Sequence, residues 1–139
     1  MSEALHHPSP AKARVLIVED EPEMCALLSD IVGDDGFDAH CVQSDRAAYA
    51  ALHGLRDDCA CMIVDVNLGS GTTGYDVARF ARRLRPELPV IFVSGQTSEL
   101  SYQSNGVPGS LFVPKPFTPG ELIDRVRKLV GDNDEGRAH

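Results

Sequence analysis

Four apolar stretches of the chain run into residue types that can hold a cation or act on a phosphoryl group. Val15-Leu-Ile-Val18 leads into Glu19-Asp20-Glu21, Met62-Ile-Val64 into Asp65, Val90-Ile-Phe-Val93 into Ser94, and Leu111-Phe-Val113 is followed one residue later by Lys115. Taken singly, each has an ordinary structural role, since an Asp or Ser after a strand caps the next helix and a lone Lys is a solvated charge. If the four stretches are parallel strands, however, carboxylates, a hydroxyl and an ammonium share the edge where open parallel sheets bind their ligands. Clustered carboxylates repel one another and call for a cation. Acid oxygens with a backbone carbonyl and retained waters suit Mg²⁺, or Mn²⁺ in its place. Asp65 is then a candidate in-line nucleophile that forms an acyl phosphate, with Lys115 neutralising the transferred group and Ser94 donating a hydrogen bond to it.

The elements that would position these residues can be read from periodicity. The first stretch is a continuous, mostly β-branched run, as expected of a strand covered on both faces. Met24, Leu27, Leu28, Ile31 and Val32 then fall at helical spacing, on a helix ending near Gly33 or Gly36. Residues 37–41 form a weaker, alternating strand suited to a sheet edge, and Ala48, Ala51, Leu52 and Leu55 mark a second helix after Ser44. The pattern repeats: a strand at 62–64, a helix carrying Val77, Ala78, Ala81 and Leu84, a strand at 90–93 and another at 111–113. Thr118, Pro119 and Glu121 open a last helix with a capping box, and Leu122, Val126, Leu129 and Val130 are its buried stripe. Between the last two strands, residues 95–109 offer only Leu100, Tyr102 and Val107 to bury, so any helix there is short or mobile. Repeated β-α units imply a parallel sheet with helices on both faces.

Composition excludes several classes of function. The 139 residues suit one domain, with residues 13–130 as its folded part and 1–12 and 131–139 as flexible tails. A net charge of −8 with no basic block speaks against direct nucleic-acid binding. No stretch is long and apolar enough to span a bilayer, and the first residues lack a signal-peptide pattern, so a cytoplasmic location is expected. In that setting Cys25, Cys41, Cys59 and Cys61 are expected to be reduced, and the spacing of Cys59 and Cys61 does not suit a metal site.

Gly69-Ser-Gly71-Thr-Thr-Gly74 matches the G-x-G-x-x-G pattern of a dinucleotide turn. Such a turn places its first glycine at the strand end and an acid at the end of the next strand. Here Gly69 lies four positions beyond Asp65 and the next strand ends in Ser94. A phosphate-binding Walker loop fails as well, because Tyr75-Asp76 stands where Lys and Ser or Thr belong. The glycines are therefore read as a flexible lid beside Asp65.

The ordered motifs "VLIVEDE", "CMIVDVNL", "FVSG" and "FVPKPF" resemble the response-regulator receiver domain of bacterial two-component signalling over nearly the whole folded region. The resemblance implies a flavodoxin-like, doubly wound α/β fold whose five-stranded parallel sheet has strand order 2-1-3-4-5. It implies phosphorylation of Asp65 by a histidine kinase or phosphotransferase. It also implies Mg²⁺ held by Asp20, Asp65 and the Asn67 carbonyl with help from Glu19, and Lys115 paired with the phosphoryl oxygens. Lys115-Pro116 would be a cis peptide, and Ser94 and Phe112 a coupled switch. Asn67 and Gln96 occupy positions that tune acyl-phosphate hydrolysis in this family. Glu19 stands where relatives often have Asp, Phe112 lacks the hydroxyl of the tyrosine often found there, Gly95 leaves access to the phosphoryl group open, and the loop after Asp65 lacks the usual proline and is about one residue longer.

On this reading the chain is a stand-alone signalling domain, not an enzyme beyond its own phosphorylation and slow dephosphorylation. It acts by binding a downstream protein, with phosphorylation-dependent homodimerisation left open. Two alternatives stay in view. A haloacid-dehalogenase-type phosphatase also uses a strand-end Asp but wants a second acid where Asn67 stands, and a pseudo-receiver would bind partners without phosphorylation.

Overall fold

The computed structural model of the chain describes residues 12–54, 59–69, 72–95 and 98–138. Strands and helices alternate through β1 (Arg14–Val18), α1 (Pro22–Asp34), β2 (Asp38–Val42), α2 (Asp45–His53), β3 (Cys59–Asp65), α3 (Gly74–Leu84), β4 (Val90–Gly95), α4 (Ser98–Asn105), β5 (Leu111–Lys115) and α5 (Pro119–Ala138). All strand pairings are parallel, and the order across the sheet is β2-β1-β3-β4-β5, the flavodoxin-like order that the resemblance implied.

Side chains alternate between the two sheet faces, and this divides the core in two. Leu16, Val18, Met62, Val64, Val90 and Phe92 face Ala48 and Leu52 of α2 and Val77, Ala78 and Ala81 of α3. Val15, Ile17, Cys61, Ile63, Ile91, Val93 and Val113 face Leu28, Ile31 and Val32 of α1 and Leu122 and Val126 of α5. The central strands are apolar at successive positions because both faces are covered, whereas β2, at the edge, alternates exposed and half-buried residues.

Helix starts follow local chemistry. The Ser44 side chain accepts the Ala47 N–H at 3.0 Å and caps α2. At α5 the expected capping box forms, with Thr118 N–H donating to Glu121 at 2.7 Å and Glu121 N–H to the Thr118 hydroxyl at 3.1 Å. A second capping box, between Thr73 and Asp76, opens α3. At α1 no side chain caps the start, and Pro22 removes the need for one N–H partner. The acids before α1 are thus not used as its cap.

Several expectations need correction. Leu27 and Leu84, read as core, are 45 % and 43 % exposed. Cys25, three residues before Leu28, takes the buried place on α1, and Leu88, beyond the end of α3, takes the one assigned to Leu84. The last helix continues past Val130 to Ala138, where a loose end was expected. Once a helix is nucleated, each added residue gains a hydrogen bond for one residue fixed, so extension is cheap. The segment between β4 and β5 holds the eight-residue α4, as short as its composition suggested. Leu55 and residues 1–11 lie outside the described residues, and of Leu100 only the backbone is described.

Two of the four cysteines do not match their expected reduced state. Cys25 and Cys41 form a disulfide, with Cα atoms 6.1 Å apart, within the range such bonds span. The reason is tertiary, since α1 lies against the edge strand β2 and brings together residues 16 positions apart. A cross-link of this span stabilises by about 3 kcal/mol in the chain-entropy view. Cys59 and Cys61 are buried on β3 and lie outside this disulfide.

Leu122, fully buried, joins α5 to the sheet. Leu122→Ala is expected to lower unfolding stability by about 2–5 kcal/mol, measured as a shift of the urea midpoint without loss of the far-ultraviolet helical signal in the native baseline.

Candidate functional site

The strand order brings the expected residues to one edge. β1 and β3 are neighbours, with Val18 opposite Val64, so Glu19-Asp20 and Asp65 leave the sheet side by side. Asp65 lies opposite Val93 of β4, one residue before Ser94, and Gly95 lies opposite Lys115 of β5. β1 is flanked by β2 on one side and β3 on the other, and the chain reverses its direction of travel across the sheet there, the usual position for a ligand in this architecture.

Backbone donors orient the carboxylates. Asn67 N–H donates to Asp65 Oδ1 at 3.2 Å, and Glu21 N–H donates to Glu19 Oε2 at 3.2 Å. Lys115 Nζ lies 3.4 Å from Glu19 Oε1 and 3.6 Å from Asp65 Oδ2, one ammonium between two acids. Carboxylate oxygens of Glu19, Asp20 and Asp65 lie within 4.8 Å of one another. Three acids against one ammonium leave a local negative excess in a buried setting, because Glu19 is fully buried and Asp65 only 6 % exposed.

Burial has the expected consequence. The Glu19 carboxyl is pushed up from 4.5 to about 7 by loss of hydration and then by the neighbouring Asp65 charge, against the pull of Lys115. Asp65 is raised too, by burial first, with Lys115 and the Asn67 N–H opposing. Both shifts follow from burying acids beside one another. The donors fit a hard divalent cation such as Mg²⁺: clustered carboxylate oxygens, the Asn67 carbonyl at the same edge, and access to solvent through the partly exposed Asp20.

Two glycines, read from the sequence as a flexible lid, have fixed tasks. A Cβ on Gly74 would lie 2.2 Å from the Asp65 carbonyl oxygen, so only glycine lets α3 start this close to the end of β3. Gly69 has φ +79°, and a Cβ there would come within 3.0 Å of Asp20 Oδ2. Asn67 bridges to Thr73, and the Gly74 N–H donates to Val66 O at 2.8 Å. Ser70 and Gly71 lie outside the described residues, as does Gln96.

The remaining site residues are arranged behind the acids. Ser94 is fully buried, and its hydroxyl donates to Gly95 O at 3.3 Å. Phe92 and Ser94 point to one sheet face, and Phe112 lies opposite Phe92 on β5. Phe112 is half-buried and stacks on Tyr102 of α4, with ring centroids 5.2 Å apart. The Tyr102 hydroxyl donates to Ser110 O at 2.7 Å, tying α4 to the approach of β5. Sequence reasoning gave Tyr102 no site role; its signal was that it is one of few residues in that segment able to pack. The Lys115–Pro116 peptide is cis.

Comparison with known proteins gives the family to which this fold, with its acid cluster and opposing lysine, belongs. The model of the response regulator receiver domain matches residues 15–127, and the chain belongs to that family. It is 34 % identical over 118 residues to the transcriptional regulatory protein TcrA of Mycobacterium tuberculosis, covering 84 % of this chain and 45 % of TcrA. It is 29 % identical over 125 residues to the DNA-binding response regulator MtrA of Mycolicibacterium smegmatis, covering 89 % of this chain and 53 % of MtrA. The chain thus spans about half the length of these curated relatives. The crystal structure of a response regulator receiver protein from Sinorhizobium medicae superposes with a TM-score of 0.81 at 30 % identity, over 86 % of this chain and 95 % of that one. Relatives named as DNA-binding or transcriptional regulators lend no support to the expectation of no nucleic-acid contact. Among the described residues no helix is long and apolar enough to cross a membrane.

Two outcomes follow from this geometry. Because Glu19 binds its proton more tightly folded than unfolded, the stability this contributes is full below pH 4.5 and is lost as pH rises through about 7. Without divalent cation, wild type should therefore lose melting temperature between pH 5 and 8 more steeply than Glu19→Gln, as read by thermal scans of both proteins across that range. Gly74→Ala should destabilise by about 1–3 kcal/mol through overpacking against Asp65, seen as a lower urea midpoint.

Proposed function

We propose that the chain is a receiver that takes a phosphoryl group on Asp65 from the phosphohistidine of a histidine kinase or phosphotransferase and signals through a phosphorylation-dependent protein contact. The observation that carries this reading is the Asp65 carboxylate, held by the Asn67 N–H at 3.2 Å with Lys115 Nζ 3.6 Å away. An Asp65 oxygen attacks phosphorus, the bond to the donor imidazole nitrogen breaks, and the imidazole leaves with that electron pair. Lys115 then pairs with the oxygens of the acyl phosphate instead of sharing its charge between Glu19 and Asp65. Asp20, Asp65, the Asn67 carbonyl and Glu19 would hold Mg²⁺, which supplies charge neutralisation to the phosphoryl oxygens.

Ser94, on the strand beside Asp65, would donate to the new phosphoryl group. Phe112 then moves toward the space on the Ser94 side of the sheet, leaving its stack on Tyr102. That exchange would alter the surface formed by α4, β5 and α5, which we assign to the downstream partner. Asn67 and Gln96 are assigned to the lifetime of the acyl phosphate, which sets how long that surface persists.

Incubation with acetyl phosphate and Mg²⁺ should add one phosphoryl group to wild type and none to Asp65→Asn, as read by intact mass. Lys115→Met should slow the uptake on the order of 100-fold, the effect of removing one charge-stabilising donor. Absence of any addition to wild type, with fast quenching and a phosphohistidine donor also tried, would favour a phosphorylation-independent binding module instead.

A further inference from the structure

Two cysteines outside the acidic cluster are linked to it through the backbone. Cys25 sits in the first turn of α1, its N–H donating to Glu21 O at 2.9 Å. Cys41 lies near the end of β2, and the next residue, Val42, accepts the Glu19 N–H at 3.0 Å. The segment that carries Glu19 and Asp20 is therefore held at one end by β2 and at the other by the first turn of α1. The disulfide closes the remaining side of this frame by joining α1 to β2. We propose that Cys25 and Cys41 form a reversible dithiol–disulfide pair that sets the rigidity of the Glu19-Asp20-Glu21 segment, and with it the affinity of the acidic site for a divalent cation. The coupling rests on the reading of that cluster as the receiver's Mg²⁺ site.

The surroundings favour exchange at this pair over the other cysteines. β2 is the edge strand and Cys41 is half-buried, so it is the sulfur that an outside reagent reaches first. Cys25 is 6 % exposed and lies within bonding reach of Cys41, the position of a resolving thiol. Cys59 and Cys61 are 2 % and 0 % exposed on a central strand, and burial pushes the Cys61 thiol up to about 12, which leaves it inert.

The oxidant is a low-molecular-weight disulfide. The Cys41 thiolate attacks one of its sulfurs, the S–S bond breaks, and one small thiolate departs, leaving a mixed disulfide on Cys41. The Cys25 thiolate then attacks the Cys41 sulfur and expels the second small thiolate. The two protein thiols are oxidised by two electrons, the reagent is reduced to two thiols, and the two protons released by the cysteines end on them. A small dithiol reverses the sequence.

The bridge acts on the acids by holding them close against their own repulsion. With it, the first turn of α1 cannot move away from β2, and the loop that presents Glu19 and Asp20 keeps its position before a cation arrives. Without it, that ordering must be supplied during binding, which weakens affinity.

The full-length chain would be prepared after glutathione disulfide and after dithiothreitol, with free thiols counted by alkylation under denaturing conditions and intact mass, and Mg²⁺ affinity measured by calorimetry in each state. The expected results are loss of two of the four thiols on oxidation, and Mg²⁺ affinity roughly tenfold tighter in the oxidised state, the equivalent of one more preordered side chain. Cys25→Ser should accumulate a glutathione adduct at Cys41, Cys41→Ser should take up none, and both should bind Mg²⁺ as the reduced wild type does. Four free thiols after oxidation would overturn the pair. Equal Mg²⁺ affinity in the two wild-type states would overturn the coupling while leaving the receiver reading in place. No Mg²⁺ binding in either state would overturn the coupling together with the metal-site reading. Should the variants not fold, the comparison of the two wild-type states decides by itself.

Discussion

Mutual repulsion among Glu19, Asp20 and Asp65, only partly offset by Lys115, is the constraint on which the rest of the structure depends. Two like charges about 4 Å apart repel by roughly 4 kcal/mol at the effective dielectric of a protein surface, enough to push the segments carrying them apart unless the scaffold resists. Here the scaffold is stiff where it must be. Glu19 and Asp65 emerge from adjacent central strands buried on both faces, and backbone N–H groups of Glu21 and Asn67 orient the carboxylates. The lysine arrives from the far strand, β5, and touches two of the acids at once. A site assembled in this way stores unfavourable charge in the resting state, which a cation or a rearranged lysine can relieve.

The packing behind the acids is largely aromatic. A row of aromatic contacts runs from Tyr75 at the start of α3 through Phe92 on β4 to Tyr102 on α4 and Phe112 on β5. Tyr75 follows Gly74, which packs on the Asp65 carbonyl, so the row begins beside Asp65. It ends at α4, an eight-residue helix anchored to the sheet through Tyr102, whose ring fits because Gly106 has no Cβ to meet it. Tyr102 thus ties a short helix to the sheet through ring contacts with Phe92 and Phe112 and a hydroxyl bonded to Ser110 O.

Much of this was legible in the amino-acid order. The apolar runs at 15–18, 62–64, 90–93 and 111–113 fall within the central and β5 strands, and the Thr118 and Glu121 capping box opens α5. Those signals are local, carried by period, β-branching and side-chain-to-backbone bonds within a few residues. The errors have a common source as well. Leu27 and Leu84 had the right spacing for a buried stripe, but which arc of a helix is covered depends on how the helix lies over the sheet. The close approaches of Gly69 to Asp20 and of Gly74 to Asp65 were missed, because they involve residues outside the glycine motif.

The sequence by itself determined that acids, a hydroxyl and a lysine stand at the ends of successive strands, because strand ends are set by local pattern. The strand order was available from the resemblance of four ordered motifs. Tertiary structure alone decided how closely Glu19, Asp65 and Lys115 approach, that burial raises the two carboxyls, and that Cys25 meets Cys41 across α1 and the edge strand. These depend on the packing of segments 16 to 96 positions apart, and no periodicity within one segment encodes the distance between two.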